Sequence, residues 1–233
     1  MQVRFRCEPA VIDRLPRPQL ARRQTPQWLK DMPLEVMAEA LGAPVQTVKQ
    51  CPPFIDAMTV GFHMPLMGDL RVRDGRFEWD EPMLDAIPGG GHGVLGAHWG
   101  DQAQGSPFAQ PGRFIIKFMN YWTIELDEGW SLLVTHPLNR PDLPFRTIAG
   151  LVNSDRYVDT YVHFPAVWQD DGFAGVLPRG TPVAHCVPVR REPIELLVEP
   201  LAGAHLERQR QQDAKFNHPD AAIRHGVYRR EFR

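Results

Sequence analysis

Nine histidines and one proline-bounded polar loop are the parts of this 233-residue chain best suited to chemistry. The loop runs from His136 through Pro137, Leu138, Asn139 and Arg140 to Arg146. Arginine offers a planar fork of donors and asparagine both donates and accepts, so Asn139 and Arg140 suit an anionic or amide-bearing ligand. The competing reading is that both side chains tie down the loop by bonding its own carbonyls. Asn153 and Asp155 stand in the next turn, and the alternating stretch Val158 to Phe164 sends Asp159, Tyr161 and His163 to a polar face. The glycine-rich stretch Pro88 to Gly112 adds His92 and His98. A stretch so rich in glycine and so long reads either as a ligand loop or as a surface connection. The expected pocket lies between it and the His136 to Arg146 loop.

The histidines also raise metal chemistry. Mononuclear oxygenase-type sites place His-x-His or His-x-Asp on a strand, where two same-face side chains grip one ion. No expected strand carries either spacing, and His98-Trp99-Gly100-Asp101 has the wrong offset. A metal enzyme would have to gather His92, His98, His136 and His163 from separate elements, so no metal ligand set and no cofactor are assigned. Ser106, Ser131 and Ser154 lack the Gly-x-Ser-x-Gly elbow of a hydrolase nucleophile. The glycine-rich stretch has no GxxxxGK(S/T) phosphate loop.

The elements that would position these groups are mostly strands. Trp130 to Thr135, Arg146 to Val152, Val158 to Phe164 and Pro182 to Val189 read as strands around the Asn153-Ser154-Asp155 turn, with the second and third as neighbours in one sheet. Gly61 to Leu66, Asp69 to Arg73, Arg76 to Asp80, Arg113 to Met119 and Tyr121 to Leu126 add more. Asp74-Gly75 is the clearest hairpin signal. Gln2 to Arg6 reads as an edge strand and Pro9 to Arg23 as an extended surface arm. Thr25-Pro26 predicts a cap and first turn for a helix over Gln27 to Asp31. A second helix is expected from Pro33 to a stop at Gly42, a short strand over Thr47 to Lys49, and a buried helical turn over Cys51 to Met58. Leu201 to Lys215 predicts an exposed helix.

Gly150-Leu151-Val152-Asn153-Ser154-Asp155-Arg156-Tyr157 and Arg179-Gly180-Thr181-Pro182-Val183-Ala184-His185 resemble the β-clip arrangement of the dUTPase and dCTP-deaminase superfamily, over about a quarter of the chain. More closely, Trp122, Pro137, Asn139, Gly150, Asp155 and the Gly180-x-Pro182 turn resemble a bacterial and phage family of unknown function. The β-clip resemblance implies a fold. It does not carry over the superfamily's pyrophosphatase chemistry, because Asn153 stands where the water-orienting aspartate would be and an amide is no general base. The phosphate motif is replaced by His136 to Arg140, and the glycine-rich C-terminal lid is missing.

With 43% hydrophobic residues the chain can bury a substantial core. The net charge of -2 supplies no pull towards nucleic acid, which is not expected as a partner, and no apolar run reaches membrane-spanning length. Cys7, Cys51 and Cys186 lack metal-type spacing and read as reduced thiols of a cytoplasmic protein, Cys51 as a buried one. The 23 prolines disfavour long helices. The expected fold is mainly β, in the α+β class: a β-clip-like core of short, mostly antiparallel strands, short N-terminal helices and a helical C-terminal tail. It is read as one domain, with residues 1–46 as arm and helices, 47–200 as β core and 201–233 as tail. The expected function is small-molecule or nucleotide-like ligand binding, with or without catalysis. The alternatives are a non-catalytic homo-oligomeric interaction module and the histidine-based metal enzyme.

Overall fold

The computed structural model describes residues 1–89, 93–109, 114–220 and 226–232. Its strands are β1 (Arg4–Arg6), β2 (Gln19–Leu20), β3 (Glu35–Ala38), β4 (Ala43–Gln46), β5 (Phe62–Pro65), β6 (Leu70–Arg73), β7 (Arg76–Glu78) and β8 (Leu95–His98). The second half adds β9 (Ile115–Phe118), β10 (Thr123–Glu125), β11 (Trp130–Thr135), β12 (Phe145–Thr147), β13 (Gly150–Val152), β14 (Phe164–Trp168), β15 (Gly175–Leu177) and β16 (Pro182–Arg190). The helices are α1 (Gln27–Asp31), α2 (Pro52–Thr59), α3 (Gly203–Phe216) and α4 (Val227–Glu231). The fold is mainly antiparallel β with few helices, in the α+β class. No described helix is long and apolar enough to cross a membrane.

The chain forms two compact units, one from Met1–Pro33 with Phe54–Arg191, the other from Leu34–Pro53 with Glu192–Arg233. The first holds a five-stranded antiparallel sheet in the order β13-β11-β16-β5-β2 and a four-stranded one in the order β12-β14-β9-β8. Smaller sheets pair β15-β6-β7 and β1-β10. The nine-residue β16 holds the largest sheet together, pairing β11 along Trp130 to Thr135 and β5 along Phe62 to Pro65. Its first five residues and all four of β5 are buried, as expected of strands covered on both faces.

Leu132, Met64, Val183 and Ala184 of this sheet are fully or almost fully buried, as are Phe118, Phe145 and Phe164 of the four-stranded sheet. Phe118 and Phe145 meet edge-on at 4.6 Å. Gly61 precedes β5 with φ of +68°, and a Cβ there would lie 2.2 Å from the Cys186 carbonyl oxygen, so only glycine allows β16 so close. The β6-β7 hairpin turns on Asp74 and Gly75, both at positive φ, the geometry that matches strand twist.

In the second unit, β3 and β4 pair from Glu35↔Gln46 to Ala38↔Ala43. Lys215 of α3 bonds Glu231 of α4 at 2.7 Å, and Phe216 stacks on Phe232. Pro193 to Leu201 form no regular secondary structure and expose Ile194, Leu196, Leu197 and Val198, the last at 98%.

Several expectations change. The helix expected from Pro33 to Gly42 is the β3 strand and a 3-10 turn over Glu39–Leu41, ended by Gly42 in the left-handed region. Its apolar residues Leu34, Val36, Met37 and Leu41 are exposed, so no core face selects a helix. Thr47 to Lys49 lead into a 3-10 turn over Val48–Gln50, and Cys51 before α2 is exposed. The N-terminal arm is docked, burying Val11, Leu15 and Ala21. α1 has the expected bounds, but Pro26 is its N-cap and no side chain caps it. The glycine-rich stretch contains β8.

Arg146 to Val152 is two strands in different sheets, β12 and β13. Val158 to Val162 form no strand beyond a single bridge from Tyr161 to Thr123, because Asp159 has a φ of +55° and breaks the alternation. β13 and β14, which flank the Asn153 turn, therefore lie in different sheets, not side by side as expected.

Candidate functional site

The His136 to Arg146 loop leaves β11 and enters β12, and its own side chains hold its shape. His136 donates from Nε2 to the Arg140 carbonyl at 3.0 Å and accepts the Thr147 N–H at Nδ1 at 3.3 Å. Both ring nitrogens are thus engaged with backbone, the ring is neutral, and burial pushes its pKa down. Arg140 closes a fork on Asp142, with Nε to Oδ1 at 2.9 Å and Nη2 to Oδ2 at 2.8 Å. Its side chain is only 12% exposed. The Trp28 indole donates to the same carboxylate at 3.2 Å.

Asn139 takes the left-handed turn position at φ of +57° and reaches the Phe54 carbonyl at 3.4 Å. The Leu138 N–H points to Nδ1 of buried His185 at 3.4 Å. His136 and Arg140 are therefore engaged within the loop and Asn139 reaches out of it, but Arg140 bonds the Asp142 carboxylate and Asn139 the Phe54 carbonyl rather than the loop's own carbonyls.

Beside this loop is a half-open cavity of about 950 Å³. Thr135 to Pro141 form one side, Phe145 to Ala149 with Val167 and Gln169 another, and Pro107 and Phe108 of the glycine-rich stretch complete it. Its lining is more apolar than polar. Arg146 projects from β12 as an exposed residue in this wall, and no hydrogen bond or ion pair engages its side chain among the described residues. Gln169 offers an amide in the same wall. These two, not Arg140, are the groups available to a polar ligand.

The other candidate residues gather elsewhere. His98, Asn153, Tyr161 and His163 line a separate, more open cavity of about 660 Å³ with Lys117, Arg156 and Tyr157. Asn153 accepts the Ser131 hydroxyl at 2.8 Å, and His163 Nδ1 accepts the Asn120 N–H at 3.1 Å. His98 Nδ1 meets Gln102 at 3.1 Å. Asp155 belongs to neither cavity wall. Its side chain is 3% exposed, paired with Arg191 through both terminal guanidinium nitrogens, Nη1 and Nη2, and accepting the Gly129 N–H at 3.0 Å. The Arg191 bonds draw its pKa down to about 2, below the usual carboxylate range. His92 lies outside the described residues. No group of three or more His, Cys, Asp or Glu side chains is placed to hold a metal ion among the described residues.

Two further histidines sit below the loop, where sequence reading assigned nothing. His63 and His185, opposite one another on β5 and β16, are both buried. No pattern marks them, since their pairing is set by a register between segments 122 residues apart. Arg146 was equally unmarked: it alternates in its strand like any exposed residue, and the cavity it lines is made by distant segments.

Comparison with known protein families and with curated proteins returns no match.

Proposed function

We propose that this chain binds a small molecule with an anionic group and a partly apolar body, nucleotide-like in that respect, in the cavity beside the His136 to Arg146 loop. One observation carries the reading: Arg146 stands unpaired among the described residues in the wall of a largely apolar cavity of about 950 Å³. Ligand sites are commonly concave, apolar and equipped with a few directed polar groups, within roughly 300–1,000 Å³. A guanidinium without a carboxylate partner is suited to fork a phosphate or carboxylate. The loop is held by its internal bonds, so the wall is preformed. Both nitrogens of His136 are engaged, which favours binding over acid–base catalysis there.

The test is a thermal-shift screen with inorganic phosphate, nucleoside mono- and triphosphates and dicarboxylates. A ligand at 100 times its Kd stabilises by about 2.7 kcal/mol. A hit that raises the midpoint of the wild type but not of Arg146→Gln supports the reading. No response to any of these anions, or an equal response in Arg146→Gln, rejects it.

A second reading, a homo-oligomeric interaction module, is favoured by the second unit. Ile194, Leu196, Leu197 and Val198 are exposed in an unstructured run, and solvent-exposed apolar runs of this kind mark association surfaces. Sedimentation would show a concentration-dependent assembly that Leu197→Asp abolishes; a monomer at all concentrations removes this reading. The three cysteines are free thiols, which fits the cytoplasmic assignment.

A further inference from the structure

The four-stranded sheet borders a third cavity, of about 650 Å³, whose chemistry differs from that of the Arg146 site. Six of its lining residues are aromatic: Phe77, Trp79, Phe108, Phe114, Trp168 and Phe173. Trp168 is fixed from two sides, meeting Phe77 edge-on at 5.0 Å and Phe173 edge-on at 5.6 Å, while its indole N–H donates to the Asp170 carbonyl at 2.8 Å. Trp79 lies against Gly93, where a Cβ would come within 3.0 Å of the ring, so the glycine lets the indole lie close to the backbone. Trp79 is nevertheless 38% exposed, and Phe114 62%.

Phe77, Trp168 and Phe173 pack at the edge of the core and are oriented by edge contacts and one backbone bond, whereas Trp79, Phe108 and Phe114 stay exposed. Together they leave apolar faces open to water in a concave, ligand-sized space. Filling it with another ring removes that surface from water and adds offset-stacked or edge-to-face contacts, which a saturated molecule of equal size does not supply.

We propose that this cavity is a binding site for a flat aromatic ring, as a free small molecule or as the ring portion of a larger one. The site is distinct from the Arg146 cavity, with which it shares only Phe108 and Val167. It needs no anionic group on the ligand.

The experiment is a titration of the full-length ¹⁵N-labelled protein with indole, followed through the side-chain indole resonances of its six tryptophans. Cyclohexanol serves as the non-aromatic control. Saturable shifts of the Trp79 and Trp168 resonances, with a Kd in about the millimolar range for so small a ligand, are expected. Cyclohexanol, which lacks the ring contacts, should bind about threefold to tenfold more weakly and shift them less. Trp79→Ala should weaken indole binding about threefold to tenfold, and Trp79→Phe, which restores a ring, should recover most of it. Arg146→Gln should bind indole as the wild type does, so failure of the anion site leaves this result intact. Absence of saturation, equal shifts with cyclohexanol, or unchanged affinity in Trp79→Ala overturns the proposal.

Discussion

His63 and His185 face one another across β5 and β16 with Nε2 of the first 3.3 Å from Nδ1 of the second and their rings at 86°. His185 donates from its other nitrogen to the Val60 carbonyl at 2.6 Å, and His63 meets Gln24 at 2.9 Å. The pair is neutral when the His63 Nε2–H donates a hydrogen bond to His185 Nδ1 and the Gln24 amide turns its NH₂ to His63 Nδ1. Burial lowers the His63 pKa to about 3, with the charges of His185 and Arg140 adding to it, and burial lowers that of His185.

The sign of the pH dependence follows. The unfolded chain binds protons at these histidines below about pH 6.5 while the folded protein does not, so stability is full above that pH and falls as pH drops towards 3. The slope is about 1.4 kcal/mol per pH unit for each such histidine. Urea midpoints measured from pH 7 to pH 4 should show this fall, and His63→Gln should flatten it. A wild-type profile level across this range would contradict the neutral pair. Asp155 acts lower, since its stabilising ion pair with Arg191 is lost only as pH falls through about 2.

Asn120, completely buried, bridges the chain around the start of β10. Its Nδ2 donates to the carbonyls of Trp122 at 2.7 Å and Val162 at 3.0 Å, and its Oδ1 accepts the Trp122 N–H at 3.0 Å. Replacement by alanine strands three backbone groups, and Asn120→Ala should cost about 3 kcal/mol in chemical denaturation. A cost below about 1 kcal/mol would mean that water or relaxation replaces the side chain.

Gly61 and Gly75 share a left-handed backbone but not surroundings. Gly75 has open space where a Cβ would stand, whereas Gly61 has the Cys186 carbonyl. Gly75→Ala should cost about 1 kcal/mol, and Gly61→Ala clearly more, because the β5-β16 spacing must open as well. Equal losses on denaturation would refute the close-approach account.

Arg140 and Arg146 separate holding the loop from contacting a ligand. Arg140→Ala releases Asp142 and the loop, so a fall in thermal midpoint with or without ligand is expected. Arg146→Ala should leave stability within about 0.5 kcal/mol and alter only the response to anions. The reverse pattern would place Arg146 in the fold and Arg140 at the ligand.

What the sequence disclosed follows the range of the interactions involved. The Asp74-Gly75 hairpin was legible because both residues favour the backbone their turn needs, and the bounds of α1 and α3 were close because proline and polarity act locally. β3 was missed, since the apolar spacing from Leu34 to Leu41 meets no core that would hold a helix. The Val158 to Phe164 alternation misled because one residue, Asp159, adopts a left-handed backbone that alternation cannot register. Of the site, the loop was visible through its prolines, but the partners of Arg140 and His136 were not. Asp142 takes the Arg140 fork from two residues away, and the same local chemistry would have been available to a ligand. Arg146 and Gln169 come together only when β12 and β14 pair, and Phe108 joins them from a distant segment, so no local pattern anticipates the cavity.

The central place of β16 has a consequence for synthesis on the ribosome. Strands β5 and β11 leave the exit tunnel long before residues 182 to 190, yet in the finished sheet each has β16 as a neighbour and they are not paired with each other. Until that late strand emerges, a nascent chain carries two incomplete edges with apolar faces, open to pairing with other chains. Truncation before Pro182 should thus give aggregation-prone fragments, and maturation of the first unit waits until Arg190 has been made.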